Sequence, residues 1–589
     1  MKRTKLMALL CALCASMGSH LSAQPVNAPL LPLSEVQPGM KGEVWTVFKG
    51  HDAESFAVAV TGILRNALGP GKSMILCELT DPRVQSMGAV AGMSGSPLYL
   101  DGKLAGVLSY QIQRFETVRY AGFTPISDML EVSALPPGRE GLTPIPIKGE
   151  RQGARGAGDF SAPFTPMTPA FALGGLAPDV AAALEPQFSA LGLNVTALGG
   201  NDSGTDASPT ASPRSLRPGD VVAVALATGD ISLAGTGTVS HVDGNRILAF
   251  GHPLLSLGAT ELPMASAEVV TILPSQLNSI KITNTGGIIG AFSQDRLSGI
   301  FGELGRKAPM VAVEVVFPQR SSRKALHFEV VRHEQLLPAI AATGLAQAVM
   351  GSNESGFSRG FKVTTTVDFP GTAPVEMSQL YPGPQGFRQG LTEFVGNLSL
   401  WLFNPYERVF PDHIRFSIED TAETPLGSIE QMLVSRTTAA PGERVDLTVG
   451  WRGFQRDGAS EQVSLDIPRD WAGKELEVIL TTGPALDELT GRQRAVPIAQ
   501  LRSFEEYISA LRSFRSSDGL YLAVVEKARL MTDQRATTPD MPGSLERIAR
   551  NADEARYQRR DAFTPLWEQR LLPGRLFNIM VRRPLSITD

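Results

Sequence analysis

The 589-residue chain is too long for a single hydrophobic core, and its length suggests about three or four domains. Hydrophobic content of 43% against 19% charged excludes a disordered chain, while 58 glycines, 42 prolines and only 7% aromatics favour short strands joined by turns. A formal charge of −5 without any Lys/Arg cluster argues against nucleic acid or an anionic membrane surface as partner.

At the N-terminus Lys2, Arg3 and Lys5 precede the apolar run Leu6 to Leu13, and Ala23 stands before Gln24. This is the form of a secretory signal peptide over 1–23, cleaved after Ala23. The run is short for a membrane span of ~20 residues, and no later segment is apolar enough to cross a membrane. Cleavage would take the charge from −5 to −8 and leave Cys77 as the sole cysteine. An exported chain, periplasmic or extracellular, is therefore expected, without an intramolecular disulfide. Cys77, within Met74 to Leu79, reads as a buried core thiol.

Strand signals follow at Glu43 to Phe48, Ser55 to Leu64 and Ser73 to Leu79, and Asp81-Pro82-Arg83 reads as a turn. Gly92-Met93-Ser94-Gly95-Ser96-Pro97 comes next, a serine between glycines closed by a proline. Asp101-Gly102 between two apolar runs predicts a hairpin directly after it. Tyr120 to Pro125 and a short helix near Ile126 to Val132 complete a small β unit. Residues 136–170 read as a linker, Pro178 to Leu191 as an amphipathic helix and 199–217 as a flexible loop. Strands resume at Asp220 to Ala227, Gly235 to Val242 and Arg246 to Phe250, the last running into Gly251-His252-Pro253. Ala265 to Ile272, Ser279 to Ile282, Met310 to Phe317 and Leu326 to Arg332 are further strand candidates. Leu336 to Met350 and Phe387 to Leu402 read as helices. Glu443 to Trp451, Glu461 to Ile467 and Lys474 to Leu480 suggest a β-sandwich.

A serine held in a glycine turn can expose its hydroxyl while the amides of Gly92 and Ser94 point into one small space, the oxyanion arrangement that acyl transfer needs. Such a serine requires a base. Of the histidines beyond residue 23, His252 stands out because it ends an apolar strand, although alone it reads as a histidine satisfied in a loop. Asp81 is a candidate for the orienting carboxylate and reads equally as a turn residue; Asp295 is the reserve, and Asp101 belongs to the hairpin.

The segment Gly92 to Pro97, followed by Asp101-Gly102-Lys103-Leu104-Ala105-Gly106, resembles the serine motif of the SpoIVB peptidase family, the sporulation-type serine peptidases. Thr80-Asp81-Pro82-Arg83 resembles the segment holding that family's acidic residue. Gly235-Thr236-Gly237-Thr238-Val239 with Leu248-Ala249-Phe250-Gly251-His252 resembles its histidine segment, and Ile289 to Gly302 the stretch downstream. The resemblance implies Ser94 as nucleophile, His252 as base, Asp81 as orienting acid and the Gly92 and Ser94 amides as oxyanion hole. It departs from the family in order, since the serine half comes first here, as in a circular permutation; chain order does not fix triad geometry. The PDZ domain that usually precedes such a peptidase is not evident, although Leu216 to Val222 has a similar flavour.

The expected fold is mainly β: a permuted chymotrypsin-like double β-barrel, then a mixed α/β segment and a β-sandwich-like C-terminal module. The expected domains are the serine-bearing half at 24–135, a linker with a short helix at 136–219 and the histidine-bearing half at 220–335. A mixed segment at 336–425 and the C-terminal region at 426–589 follow. The expected function is an exported serine endopeptidase cleaving envelope proteins, with no metal or organic cofactor. The expected substrate is a protein or peptide, and the expected partner is an envelope protein engaged through the C-terminal module. The competing reading is an inactive, peptidase-like scaffold of the envelope.

Overall fold

The computed structural model describes residues 24–25, 27–112, 118–136, 164–167, 171–196, 200–201, 215–275, 279–318, 325–351, 359–402, 409–490, 503–532, 537–539, 547 and 558–589. The expected signal peptide, most of the expected linker and most of the 199–217 loop lie outside the described residues. Two compact units divide the chain, one holding most of 1–309 and the other most of 310–589.

The first unit contains two closed β-rings. The first is built from β1 (Lys41–Val47), β2 (Ala53–Gly69), β3 (Lys72–Leu79), β4 (Pro97–Leu100), β5 (Lys103–Ile112) and β6 (Tyr120–Pro125). Their order is β4-β1-β2-β3-β6-β5, and β4 pairs again with β5 to close an antiparallel barrel. Alternation places Val44, Phe56, Val58, Ile75, Cys77, Leu98 and Phe123 inside, all essentially inaccessible. Burial pushes the Cys77 thiol pKa well up, as befits an inert core thiol. Helix α1 (Pro82–Met87) sits between β3 and β4, and α2 (Ile126–Ser133) follows β6. One short strand, β7 (Phe164–Pro166), lies outside the ring against β5.

After β8 (Phe171–Gly174), β9 (Val195–Thr196) and β10 (Gly200–Asn201), the second ring forms. It comprises β11 (Val221–Gly229), β12 (Ser232–Asp243), β13 (Arg246–Ala249), β14 (Gly258–Leu273), β15 (Ile280–Arg296) and β16 (Gly299–Leu304). Its order is β11-β14-β15-β16-β13-β12, closed by β11 with β12. The protein is thus mainly β with a double barrel of the chymotrypsin-like kind. The glycines at 286, 287 and 290 lie inside the 17-residue β15 and mark no turn. Gly290 is needed for close approach, since a Cβ there would fall 2.3 Å from the Glu303 carbonyl oxygen.

In the second unit, β17 (Met310–Val316), β18 (Ala325–Val331), β19 (Phe361–Asp368), β20 (Val375–Tyr381) and β21 (His413–Asp420) form a sheet in the order β20-β19-β21-β17-β18. The helices Leu336–Ala346 and Pro384–Leu402 match the predicted helical stretches. Further on, a three-stranded sheet (Gly427–Val434, Arg444–Gly453, Gly458–Asp466) shares one apolar cluster with a larger sheet. Val445, Leu447 and Leu465 meet Leu480, Leu522 and Leu585 there. Beside it, Arg515 is buried between Asp487 and Glu568, with Nη1 2.5 Å from Asp487 Oδ1.

Candidate active site

Ser94 sits on a turn with two residues in the left-handed region, Gly92 (φ 99°) and Gly95 (φ 92°). Bonds within the first barrel shape the turn: Gly95 N donates to Leu108 O at 2.7 Å and Leu108 N to Ser96 O at 2.9 Å. Others come from the second barrel. Thr238 N donates to Ser94 O at 2.8 Å, Thr238 Oγ1 to Gly92 O at 3.1 Å and Ser240 Oγ to Gly95 O at 2.9 Å. Gly95 has no room for a side chain, because a Cβ would lie 2.3 Å from Thr238 O and 2.5 Å from Phe250 N. The serine turn is therefore wedged against the segment that leads to His252.

The amides of Met93, Gly95 and Ser96 are all spent on carbonyls of the turn and its neighbours. Among the described residues those of Gly92 and Ser94 donate to no backbone acceptor. These two N–H groups are the ones the sequence reading assigned to the oxyanion. The Ser94 hydroxyl is fully buried and has no hydrogen-bond partner among the described residues.

His252 follows β13 through Phe250 (φ 69°) and Gly251 (φ 70°). A left-handed phenylalanine is a strained conformation that persists only where its surroundings hold it. Here Thr124 Oγ1 donates to Gly251 O at 2.7 Å, and Gly251 packs on Val107 and Ser109, leaving no space for a Cβ. The imidazole Nδ1 lies 2.8 Å from Pro253 O. A carbonyl only accepts, so Nδ1 carries the proton in the neutral ring and Nε2 is left as the basic atom. Nε2 is buried without a partner among the described residues.

Burial lowers the His252 pKa to about 4, with the Pro253 bond a smaller opposing effect. The folded ring is thus neutral at pH 7. Between pH 6.5 and 4 the unfolded chain takes up a proton that the folded chain does not. Stability is therefore complete above pH 6.5 and falls as pH drops towards 4. The loss is on the order of 3 kcal/mol at the low end. Urea midpoints of wild type and His252→Ala at pH 7 and pH 4.5 should show that the variant lacks this part of the acid loss. An identical acid loss in both would contradict it.

The two carboxylates have different jobs. Asp81 caps α1: its Oδ1 accepts from Arg83 N at 2.8 Å, and its Oδ2 lies 3.1 Å from Arg83 Nη2. Partial burial raises its pKa, but the Arg83 bonds outweigh this and the net shift is downward. The structure brings Asp81 to Arg83 and not to the imidazole. Asp295, on β15, is almost wholly buried and receives Leu254 N and Leu255 N at 2.8 Å and Leu257 N at 3.0 Å. Desolvation raises its pKa, opposed by those amides. It pins the loop immediately after His252 without touching the ring. Asp101 sits at the hairpin tip (φ 48°, with Gly102 at φ 75°), as a type I′ turn requires.

One residue escaped the sequence reading. Lys281 on β15 is buried, with Nζ donating to Thr46 Oγ1 at 2.8 Å. Its stem backs the serine turn, so that a Cβ on Gly92 would lie 3.1 Å from Lys281 Cβ and Cδ. Lys281 N donates to Ala91 O at 3.0 Å, and burial lowers the ammonium pKa to about 7. The alternation Lys281, Thr283, Thr285 was the available signal, since it puts the lysine on the inward face.

The parts that acyl transfer needs are present as a hydroxyl, a neutral imidazole and two amides two residues apart that meet no backbone acceptor; Ser94 Oγ and His252 Nε2 are each without a partner among the described residues, so no hydrogen bond joins them. No curated protein and no solved structure matches the chain. Residues 16–129, which hold Asp81, Gly92 and Ser94 and end before the second barrel, match the family model described as SpoIVB peptidase S55. That model is of a serine peptidase family, and the match is confined to the segment that carries the serine turn.

Proposed function

We propose that the protein is an exported serine endopeptidase of the cell envelope in which Ser94 is the nucleophile and His252 the general base. His252 Nε2 takes the Ser94 hydroxyl proton as Oγ bonds to the substrate carbonyl carbon. The resulting oxyanion is received by the Gly92 and Ser94 amides. Collapse breaks the C–N bond, and the imidazolium gives its proton to the departing amine. Water, deprotonated by the same nitrogen, then releases the acyl group. Asp295 acts as a positioning residue through the 254–257 backbone. The observation that carries the reading is the pair of unspent amides beside a buried serine hydroxyl with no partner among the described residues.

Export rests on the basic, apolar and small-residue succession over 1–23. No helix among the described residues is long and apolar enough to cross a membrane. Engagement of an envelope partner by the C-terminal module belongs to the same proposal, with Leu433 and Phe454 exposed there.

Prolonged incubation of the folded full-length chain with a fluorophosphonate should phosphonylate Ser94, located by peptide mass spectrometry, and should leave Ser94→Ala unmodified. A folded wild type that stays unmodified would overturn the peptidase reading in favour of the inactive scaffold.

A further inference from the structure

The strand that follows the serine hairpin leaves the barrel closure early. β5 pairs with β4 over Lys103 to Val107 and Leu108 bonds to the serine turn, and beyond Leu108 its edge would be bare. A bare edge beside a nucleophile is a site for adding a peptide strand. It is already taken. β7 pairs antiparallel with it: Tyr110 opposite Pro166, Gln111 opposite Thr165 and Ile112 opposite Phe164. Met167 N donates to Ser109 O at 2.9 Å, which continues the register towards the serine turn. Ser109 is also the residue packed on Gly251, next to His252.

Bonded and non-bonded pairs alternate in an antiparallel ladder, so Ser109–Met167 and Gln111–Thr165 are the bonded pairs and Tyr110–Pro166 is not. Pro166 therefore sits where its missing N–H costs nothing. Met167 is fully buried, in the same apolar cluster as Met93 and Leu108. β7 closes no barrel, being a three-residue addition outside the ring. Ser94 and His252 are both inaccessible with it in place.

We infer that residues 164–167 are an internal substrate mimic, occupying the edge on the acyl side of the scissile bond and holding the site closed. The inference rests on the peptidase reading and gives it a substrate class. That class is an extended peptide with an unbranched apolar residue such as methionine next to the bond cleaved, and with proline accepted one position earlier. Such a peptide must displace the segment, and its apparent affinity is reduced by the fraction of chains in which the edge is free.

Two variants of the full-length protein release the segment: Met167→Asp, which buries a charge, and Thr165→Pro, which removes a ladder N–H at a half-buried position. A fluorescein-labelled Phe-Thr-Pro-Met peptide should bind either variant at least about tenfold more tightly than wild type, and fluorophosphonate labelling should accelerate similarly. A Phe-Thr-Pro-Asp peptide should not bind. In unmodified protein, excess Phe-Thr-Pro-Met should speed hydrogen exchange at the Thr165 and Met167 amides while Gln111 stays protected. This arm stands even if a variant does not fold. Equal peptide affinity in folded wild type and variants, or exchange at 165 and 167 indifferent to the peptide, would overturn the inference. Peptide capture without labelling of any variant would instead leave the displacement intact and remove the peptidase reading.

Discussion

His252→Ala slows phosphonylation of Ser94 by roughly 10⁴-fold or more if, as proposed, the imidazole is the base that takes the hydroxyl proton. The contrast with the two carboxylates is the more informative part. Asp295→Asn keeps the shape but turns an amide towards Leu254, Leu255 and Leu257, whose N–H groups need an acceptor. The loop after His252 shifts, and a displacement of about 1 Å is worth on the order of 10²-fold in rate. Asp81→Asn changes the rate by no more than about threefold, since asparagine caps a helix as well as aspartate and the lost ion pair is partly exposed. Second-order labelling constants of the three variants, with circular dichroism to show that each is folded, check the ranking. If Asp81→Asn were as damaging as His252→Ala, Asp81 would return as the orienting acid that the family resemblance implies.

Gly95→Ala destabilises the protein by more than about 4 kcal/mol or prevents its folding. The added methyl collides with backbone on both sides, Thr238 O and Phe250 N, so no side-chain rotation relieves it. Its φ of 92° is also hostile to any Cβ. Gly102→Ala is the control. It too has a positive φ, 75°, but nothing lies within 4 Å of the new Cβ. Only the conformational cost of about 1–2 kcal/mol then remains. Urea unfolding midpoints separate the two, and a Gly95→Ala protein with the Gly102→Ala midpoint would show that the two barrels do not grip the serine turn as described.

What could be read from the sequence was what neighbouring residues determine. Asp101-Gly102 produced its hairpin, Tyr120 to Pro125 its strand, and the strand Arg246–Ala249 ends three residues before His252. Asp81-Pro82-Arg83 reads as a turn from the sequence, but the structure makes it the start of a helix, with Asp81 as N-cap and proline at the first helical position. Asp295 could not be read, because its meaning lies in amides about forty residues earlier that only the β14–β15 pairing brings to it. Strand β7 was equally hidden: three residues in a stretch rich in Gly, Pro and Arg have no periodicity, and their partner is more than fifty residues away.

The order of the two barrels along the chain has a consequence for how the protein comes into being. Every strand of the serine barrel's ring lies between Lys41 and Pro125, so the ring can close while the histidine barrel is still being synthesised. At that stage Ser94 exists without His252, the base proposed for it, and its turn lacks the grip of Thr238, Ser240 and Phe250. On the proposed mechanism, a chain interrupted before residue 250 is inert as a hydrolase. The proposed reactivity would then arrive late, as a property of the finished pair of barrels, and a nascent chain carrying the serine barrel alone would spare its neighbours on the way out of the ribosome.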